Sequence, residues 1–237
     1  MLKINKLTFK YPNGYTAVEN LSLHVEPGDL YAFIGHNGAG KTTTIKSVVG
    51  ILKFDEGEIL IDGKSVSEDP LSTKEVVAYL PDNPDLYESL TGIQYLNFIS
   101  DIYRISKEDR KTAIEYYANE FEMLDKLNNF ISSYSHGMKQ KLALIGAFIH
   151  KPKLLILDEP FVGLDPKASF IVKKIMREFC EQGGAIFFST HILEVAQKLC
   201  NKMAIIKKGK LIKKGNMEEI TKDISLEEVF LELTENV

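Results

Sequence analysis

The sequence has no tryptophan, only two cysteines and no long apolar run among its 237 residues. Without about 18 consecutive apolar residues we expect no membrane-spanning helix, and the N-terminus lacks the apolar core of a signal peptide. Cys180 and Cys200 have no CxxC motif, so we expect two reduced thiols and neither a disulfide nor a metal site. These absences predict a cytoplasmic protein that acts at a membrane only through a partner.

A strong excess of charge of either sign is also absent. The formal net charge is −4, from 29 Lys and Arg residues against 33 Asp and Glu residues. Proteins that bind nucleic acid usually show a clear basic excess, so we expect no nucleic-acid partner. We interpret the basic run 207–215 as a solvated hairpin that turns near Lys208 and Gly209.

Short apolar segments alternate with helical patterns over much of the chain. A half-buried strand is predicted at 2–11, and further strands are predicted at 30–35, 58–63, 153–159, 184–190 and 202–209. Helical patterns follow several of them, at 41–52, 168–182 and 192–200. This alternation predicts an α/β core around a largely parallel sheet.

The stretch from about 90 to 150 differs because it contains helical patterns and no convincing buried strand. Ser106 and Asp109 resemble a helix-capping box with Asp in place of Glu. We therefore predict an all-helical subdomain inserted into the α/β core. The predicted units are the core at 1–85 and 151–215, the helical subdomain at 86–150 and a short helical tail at 216–237.

The segment GHNGAGKT, Gly35 to Thr42, fits the phosphate-loop pattern G-x-x-x-x-G-K-[ST] between a strand and a helix. Its glycines let backbone N–H groups turn inward around phosphate oxygens. Lys41 should reach the β- and γ-phosphates, and the Thr42 hydroxyl should bind Mg²⁺. We expect the His36 side chain at the surface. The predicted nucleotide-binding residues of this phosphate loop are Gly35, His36, Asn37, Gly38, Ala39, Gly40, Lys41, Thr42 and Thr43.

The segment LLILDEP, Leu154 to Pro160, is an apolar strand that ends in two acids. Ligands of open α/β sheets bind at the carboxyl ends of the strands. Asp158 is placed to hold Mg²⁺ through its water shell, and Glu159 is placed to polarise a water molecule against the γ-phosphate. Both tasks require a carboxylate.

Five motifs stand in an order that resembles the ATP-binding subunits of ABC transporters over nearly the whole chain: GHNGAGKT, YLPDNPDLYESLTG, YSHGMKQK, LLILDEPFVGLDP and STH. The resemblance implies a P-loop NTPase core with a largely parallel sheet, an N-terminal antiparallel β part and an inserted helical subdomain. It implies an ATPase whose ATP-dependent dimerisation drives transport through a separate membrane-spanning permease. Exporters of drugs or antimicrobial peptides are the nearest type.

The resemblance also implies roles for single residues. Tyr11 would stack on adenine, and His191 would bind the γ-phosphate and help to place the attacking water beside Glu159 and Lys41. The loop from Gly163 to Pro166 would touch a second ATP-binding subunit, while Asp165 and Pro166 also fit the N-cap and first position of a helix.

The segment YSHGMKQK, residues 134–141, corresponds to the signature segment of the family. Ser135 and Gly137 would contact the γ-phosphate bound by the second subunit, in a homodimer or a heterodimer. His136 and Met138 depart from the usual glycine and glutamine.

Asp82 stands where a glutamine usually senses Mg²⁺ and links the site to the helical subdomain. Because aspartate is shorter and charged, we predict a shorter or water-bridged contact with the metal.

The helical insert carries seven large side chains that we expect to be mostly core, with a few lining a groove: Leu86, Tyr87, Tyr95, Phe98, Ile99, Ile102 and Tyr103. By resemblance the groove receives a short helix of the permease. The protein would then lie on the inner face of the cell membrane, held there by its partner.

Three other functions fit the sequence less well. A soluble ABC-type ATPase that acts on ribosomes or DNA usually has two ATPase cores or a long coiled coil, and neither is visible. A GTPase needs the base-reading motif N-K-x-D, but the NKMA segment has Ala204 where Asp is needed. A Ser–His hydrolase built on Ser135 and His136 has no GxSxG elbow and no evident orienting acid.

Overall fold

In the computed structural model, which describes residues 1–235, the strands form two sheets. The smaller sheet is antiparallel, in the order β2 (Thr16–Val25), β1 (Leu2–Lys10), β4 (Glu56–Ile61) and β5 (Lys64–Ser65). The main sheet has the order β10 (Lys210–Asn216), β9 (Lys202–Lys207), β3 (Leu30–Ile34), β8 (Ala185–Thr190), β7 (Leu154–Asp158) and β6 (Val77–Leu80). Its strands are parallel except β10, which pairs antiparallel with β9. The predicted α/β fold with an N-terminal antiparallel part is confirmed.

The central strands of the main sheet are continuous apolar runs because both of their faces are covered. One core lies between the two sheets and includes Phe33, Ile45 and Phe187. A second core joins the other face of the main sheet to the helices and includes Phe148 and Phe188.

Nine α-helices occur in the described part of the chain: α1 (Lys41–Val48), α2 (Pro70–Glu75), α3 (Gly92–Ile102), α4 (Lys107–Glu120), α5 (His136–Ile149), α6 (Pro166–Glu181), α7 (Leu193–Leu199), α8 (Met217–Ile220) and α9 (Leu226–Glu235). Helices α3, α4 and α5 lie between β6 and β7 in the sequence. Ser106 caps α4, since its hydroxyl accepts the N–H of Asp109 and donates to the Asp109 carboxylate. None of the described helices is long and apolar enough to cross a membrane.

Sequence patterns missed three strands, of which β5 has only two residues, and predicted one hairpin correctly. β2 was missed because its pairing with β1 is irregular and Asn20 adopts a positive φ of 49°, which interrupts the alternation. β6 was missed because it has only four residues. The turn between β9 and β10 does fall at Lys208 and Gly209, both with positive φ as a tight two-residue hairpin turn requires.

The seven large side chains of the helical insert are less buried than predicted. Leu86 is buried, while Tyr95, Ile99 and Tyr103 are half-buried. The other three are exposed, namely Tyr87, Phe98 and Ile102.

The two cysteines are free, as predicted, and both are buried. Burial raises the pKa of the Cys180 thiol to about 12 and also raises that of Cys200. Both side chains are therefore neutral and unreactive at physiological pH.

Candidate active site

The phosphate loop connects the fully buried strand β3 to α1. A Cβ atom at Gly40 would lie 2.5 Å from the carbonyl oxygen of Ala17, and the φ of Gly40 is 109°. A Cβ atom at Gly35 would lie 2.6 Å from the carbonyl oxygen of Ile206. These two glycines are therefore required because strands β2 and β9 approach the loop too closely for any side chain.

Lys41 is folded back over the phosphate loop and is only 6% exposed. Its Nζ atom donates to the carbonyl oxygens of Gly35 at 2.7 Å and His36 at 3.3 Å, and lies 3.6 Å from Oε1 of Glu159. The ammonium group thus faces the interior of the loop, where a phosphate group would compete with the two carbonyl oxygens for it.

Asp158 ends the buried strand β7, and its carboxylate is only partly satisfied. Oδ1 accepts a hydrogen bond from the Ser189 hydroxyl, whereas Oδ2 is buried without a hydrogen-bond partner among the described residues. Burial raises the pKa of this carboxyl, the hydroxyls of Ser189 and Thr42 oppose that shift, and the charges of Asp82 and Glu159 add to it. Buried carboxylate oxygens are nearly always paired, and a bound cation would satisfy this one.

The residues around Asp158 fit Mg²⁺ that is bound together with a phosphate group. In the described part of the chain no cluster of three His, Cys, Asp or Glu side chains could hold a metal alone. Mg²⁺ usually takes one or two carboxylates, several waters and substrate phosphate oxygens, and has little need of a full protein cage. The free oxygen of Asp158 and the exposed hydroxyl of Thr42 match that pattern.

Glu159 lies between Lys41 and His191. Its Oε2 atom is 3.0 Å from Nδ1 of His191, and its backbone N–H donates to the Ser189 hydroxyl at 3.0 Å. The backbone of Glu159 has a positive φ of 48°, which turns the residue sharply after β7. Ser189 therefore holds both acids of the predicted pair, a role that sequence reasoning missed although the residue lies two positions before His191.

Tyr11 and Tyr15 form an aromatic wall beside the phosphate loop. Their rings are nearly parallel at 6.3 Å, and the edge of Phe9 packs on Tyr11. The hydroxyl of Tyr11 is 3.2 Å from Oγ1 of Thr43. Both tyrosines line the cleft described next and keep exposed ring surface, so Tyr15 is a second candidate base contact that the sequence did not single out.

A cleft of about 320 Å³ brings most of the predicted residues together, and we call it the nucleotide cleft. It is lined by Tyr11, Tyr15, Ala17, His36, Asn37, Gly38, Gly40, Lys41, Thr42, Thr43, Asp82 and Glu159. Asp82 reaches it from the loop after β6, where one carboxylate oxygen accepts the N–H of Asn83 at 2.9 Å.

The signature segment is not part of the nucleotide cleft of its own chain. Ser135 is the N-cap of α5, and its hydroxyl accepts the N–H of Met138 at 3.3 Å. A Cβ atom at Gly137 would lie 3.0 Å from the carbonyl oxygen of Gly163, and the ring of His136 covers the α-carbon of Gly163 closely. Ser135 and His136 are exposed, so this face is open to another molecule.

The loop that starts at Gly163 leads into the N-terminus of α6. Asp165 is its N-cap, accepting the N–H of Ala168 at 2.8 Å, and Pro166 is its first residue, as predicted.

His36 has a neighbour that the sequence did not suggest. Its backbone lies in the phosphate loop, but its ring contacts the ring of Phe230 in α9, with centroids 4.8 Å apart. Phe230 is buried, as are Leu226 and Val229 on the same helix. The tail therefore packs on the phosphate loop through His36, which is exposed, as predicted.

Comparison with known proteins shows which family this chain belongs to. The family described as "ABC transporter" matches residues 18–162 of the chain. The ABC-type transporter ATP-binding protein EcsA of Bacillus subtilis (strain 168) is 36% identical over 242 residues, which cover 99% of this chain and 96% of EcsA.

Two further similarities agree with these. The SkfA peptide export ATP-binding protein SkfE of the same organism is 35% identical over 212 residues, covering 90% of this chain and 87% of SkfE. A solved structure of an ATP binding subunit of an ABC transporter is 34% identical and superposes with a TM-score of 0.95 over 99% of both chains.

Proposed function

The chain belongs to the ABC transporter family, as an ATP-binding and ATP-hydrolysing subunit, and we propose how its own residues bind and cleave ATP. The observation that carries the proposal is the contact series from Lys41 through Glu159 to His191, beside the unsatisfied Oδ2 atom of Asp158.

In this proposal Lys41 releases the carbonyl oxygens of Gly35 and His36 and binds the β- and γ-phosphates. The backbone N–H groups of residues 36–43 and the N-terminus of α1 bind the remaining phosphate oxygens. A buried ammonium group that already points into the loop needs little movement, so most of its desolvation cost is met on folding.

Mg²⁺ would be held by the Thr42 hydroxyl and, directly or through water, by Asp158, with Asp82 facing the same cleft. The ion would neutralise charge on the phosphate oxygens during hydrolysis. Asp158 can serve only in its charged form, and the raised pKa of its carboxyl would fall once a cation lies beside it.

Glu159 acts as the general base towards the attacking water, and His191 positions the Glu159 carboxylate. The hydrogen bond from Nδ1 of His191 fixes one carboxylate oxygen and leaves the other to face Lys41 and the phosphate. Tyr11 stacks on the adenine ring, and Tyr15, which lines the same cleft, would add a second aromatic contact to the base.

The signature segment completes the cleft of a second subunit in an ATP-dependent dimer. Ser135, although it caps α5 as an acceptor, keeps its O–H free to donate to a γ-phosphate. The contact of His136 with Gly163 links this segment to the loop 163–166, which would meet the second subunit as well. The chain itself allows a homodimer or a heterodimer.

A membrane-spanning permease would bind the groove beside Asp82, placing the protein on the inner face of the membrane. We call this the partner groove; it is lined by Leu80, Pro84, Leu86, Tyr95, Ile99, Tyr103 and His150, among others. The exposed rings of Tyr87 and Phe98 meet edge to face nearby, with centroids 5.5 Å apart. Exposed aromatic residues at a groove are typical of a site for a partner helix. The similarity to SkfE makes peptide export the first transport activity to examine.

The test is Glu159→Gln, which keeps the shape of the side chain but removes the base. ATP hydrolysis should fall by at least about 100-fold, ATP affinity should stay within about twofold, and ATP should convert the protein to a stable dimer on size-exclusion chromatography. Normal hydrolysis by the variant would show that Glu159 is not the base.

Two controls sharpen this experiment. Glu194→Gln, which alters an exposed acid paired with Lys198, should leave hydrolysis unchanged. Adding Ser135→Arg to Glu159→Gln should abolish the ATP-dependent dimer, and a dimer that persists would contradict the role of Ser135 in the second subunit's site.

A further inference from the structure

A second cavity lies in the helical part of the molecule, away from the nucleotide cleft. It has a volume of about 470 Å³, is open to solvent and is lined by α3, α4 and the short turn 124–128. Its apolar lining comes from Ile93, Ile114, Leu124 and Leu127, of which Ile114 and Leu127 are buried. Cavities of this size between helices are typical of sites for small molecules.

The other side of the same cavity is basic. Lys107, Arg110 and Lys111 line it at three positions on one face of α4, with Glu115 as the one acidic lining residue. The acids in the first turn of α4, Glu108 and Asp109, are not among the lining residues. A chain with a net negative charge therefore concentrates cations around an apolar cavity.

These cations are incompletely paired. Arg110 donates to Asp101, Asn97 and the carbonyl oxygen of Ile105, but its Nε–H is buried with no acceptor among the described residues. Lys111 has only a long contact of 3.9 Å to Glu115, and no ion pair involves Lys107 in the described part of the chain. A buried donor without an acceptor is costly, so a ligand that supplies oxygen atoms would stabilise this arrangement.

We propose that this cavity binds an amphiphilic anion, with a phosphate or carboxylate head at Lys107, Arg110 and Lys111 and an apolar chain against Ile93, Ile114 and Leu127. Arg and Lys bind such heads by charge-assisted hydrogen bonds. The apolar wall excludes a bare inorganic anion as the preferred ligand, because that wall would then stay exposed to water.

The position of the cavity indicates how a bound anion would affect the rest of the molecule. Ile93 and Asn97 line it from α3, while Tyr95 and Ile99 line the partner groove from the same helix. Residues two apart on a helix point to nearly opposite sides. The ligand and the permease would therefore contact opposite faces of α3, a consequence that rests on the proposed function, whereas binding of the ligand does not.

Dodecyl phosphate, kept below its micelle concentration, is the probe, titrated into the full chain by calorimetry without ATP. We expect saturable binding to one site. Inorganic phosphate and the uncharged amphiphile dodecyl maltoside should bind at least about tenfold more weakly, since each lacks one half of the interaction.

The double variant Lys107→Gln with Lys111→Gln should weaken dodecyl phosphate at least about tenfold. Both positions are exposed, so the fold should survive even if Arg110→Gln does not. Lys126→Gln, which alters a neighbouring lysine paired with Asp125 outside the cavity, should leave binding unchanged. Equal binding of dodecyl maltoside, or unchanged binding by the double variant, would overturn the proposal.

Phospholipid vesicles distinguish a lipid headgroup from a free amphiphile as the source of the anion. Flotation with phosphatidylglycerol vesicles, but not with phosphatidylcholine vesicles, would identify a lipid headgroup, provided that the double variant loses it. Binding of dodecyl phosphate without flotation would identify a free amphiphile. Because neither measurement uses ATP or a permease, a negative result here would leave the proposed ATPase mechanism unaffected.

Discussion

The phosphate loop and the signature segment each lead into the N-terminus of a helix, and they differ in what satisfies that terminus. No side chain caps α1, which follows the phosphate loop and begins after Gly40. The hydroxyl of Ser135 caps α5, which follows the signature segment. The first N–H groups of a helix need partners, so α1 is left ready for an anion while α5 is partly satisfied by its own chain.

The surroundings of the two segments differ in the same direction. The phosphate loop is enclosed by strands β2 and β9, and its Lys41 is buried against Glu159. The signature segment exposes Ser135 and His136 and rests on Gly163. One segment is thus a nearly complete site within a single chain, and the other is a surface that needs a second molecule.

Removing Lys41 should give the largest effect. We expect Lys41→Ala to weaken ATP binding about 100-fold, because a charge-assisted bond to phosphate is lost and the dipole of α1 cannot replace it. Equilibrium binding of a fluorescent ATP analogue measures this. Lys46→Ala, on the same helix, should bind normally, and full affinity in Lys41→Ala would show that the phosphate loop is wrongly assigned.

A bulky cation in place of Ser135 should impair the signature segment and leave the phosphate loop of the same chain unaffected. In Ser135→Arg we expect ATP hydrolysis to fall at least about tenfold while ATP affinity of the monomer stays within about twofold. Because the change also removes a helix cap, worth about 1 kcal/mol, the matched control is Ser106→Arg, which removes the cap of α4. The control should lose similar stability but keep hydrolysis, and a large loss of monomer affinity in Ser135→Arg would contradict the assignment.

His150 is the C-cap residue of α5 and tests how firmly the C-terminal end of this helix is packed. Its ring stacks on Tyr103 with the centroids 3.6 Å apart, and burial lowers its pKa to about 4, although the nearby Val77 and Gly146 carbonyls act to raise it. Since the unfolded pKa is about 6.5, this histidine contributes full stability above that pH and loses it as the pH falls towards 4.

We therefore expect the free energy of unfolding to drop by about 2 kcal/mol more in the native protein than in His150→Phe between pH 7 and pH 5. Phenylalanine keeps the stacking but does not titrate. Urea denaturation at the two pH values gives the difference, and identical pH dependence in both proteins would show that His150 is charged or solvated in the fold.

The smallest effect concerns the contact of α9 with the phosphate loop. Phe230→Ala should weaken ATP binding about twofold, roughly 0.5 kcal/mol, because the ring of His36 loses its neighbour and the loop gains freedom. Leu231→Ala, at an exposed position on the same helix, is the control. Equal affinity in the two variants would show that the tail only covers the core.

Local sequence predicted those parts of the molecule whose chemistry depends on short motifs. Most of the phosphate loop lines one cleft with Glu159, and Asp158 directly precedes Glu159, because the parallel strands β3 and β7 end at the same sheet edge. Ser189, Tyr15 and Phe230 were not predicted. Their contacts depend on how distant segments pack, and neither a serine in a strand nor a phenylalanine in an amphipathic tail has a pattern that reveals its partner.

The strand order of the main sheet has a consequence for the order in which the molecule can fold. β3 carries the phosphate loop, yet its two neighbours are β8 and β9, which come after the whole helical insert. Pairings between such distant segments form slowly, and an emerging chain exposes its unpaired strand edges meanwhile. Gly35 also packs against Ile206 of β9. The phosphate loop, although translated early, must therefore be one of the last parts of the protein to acquire its shape.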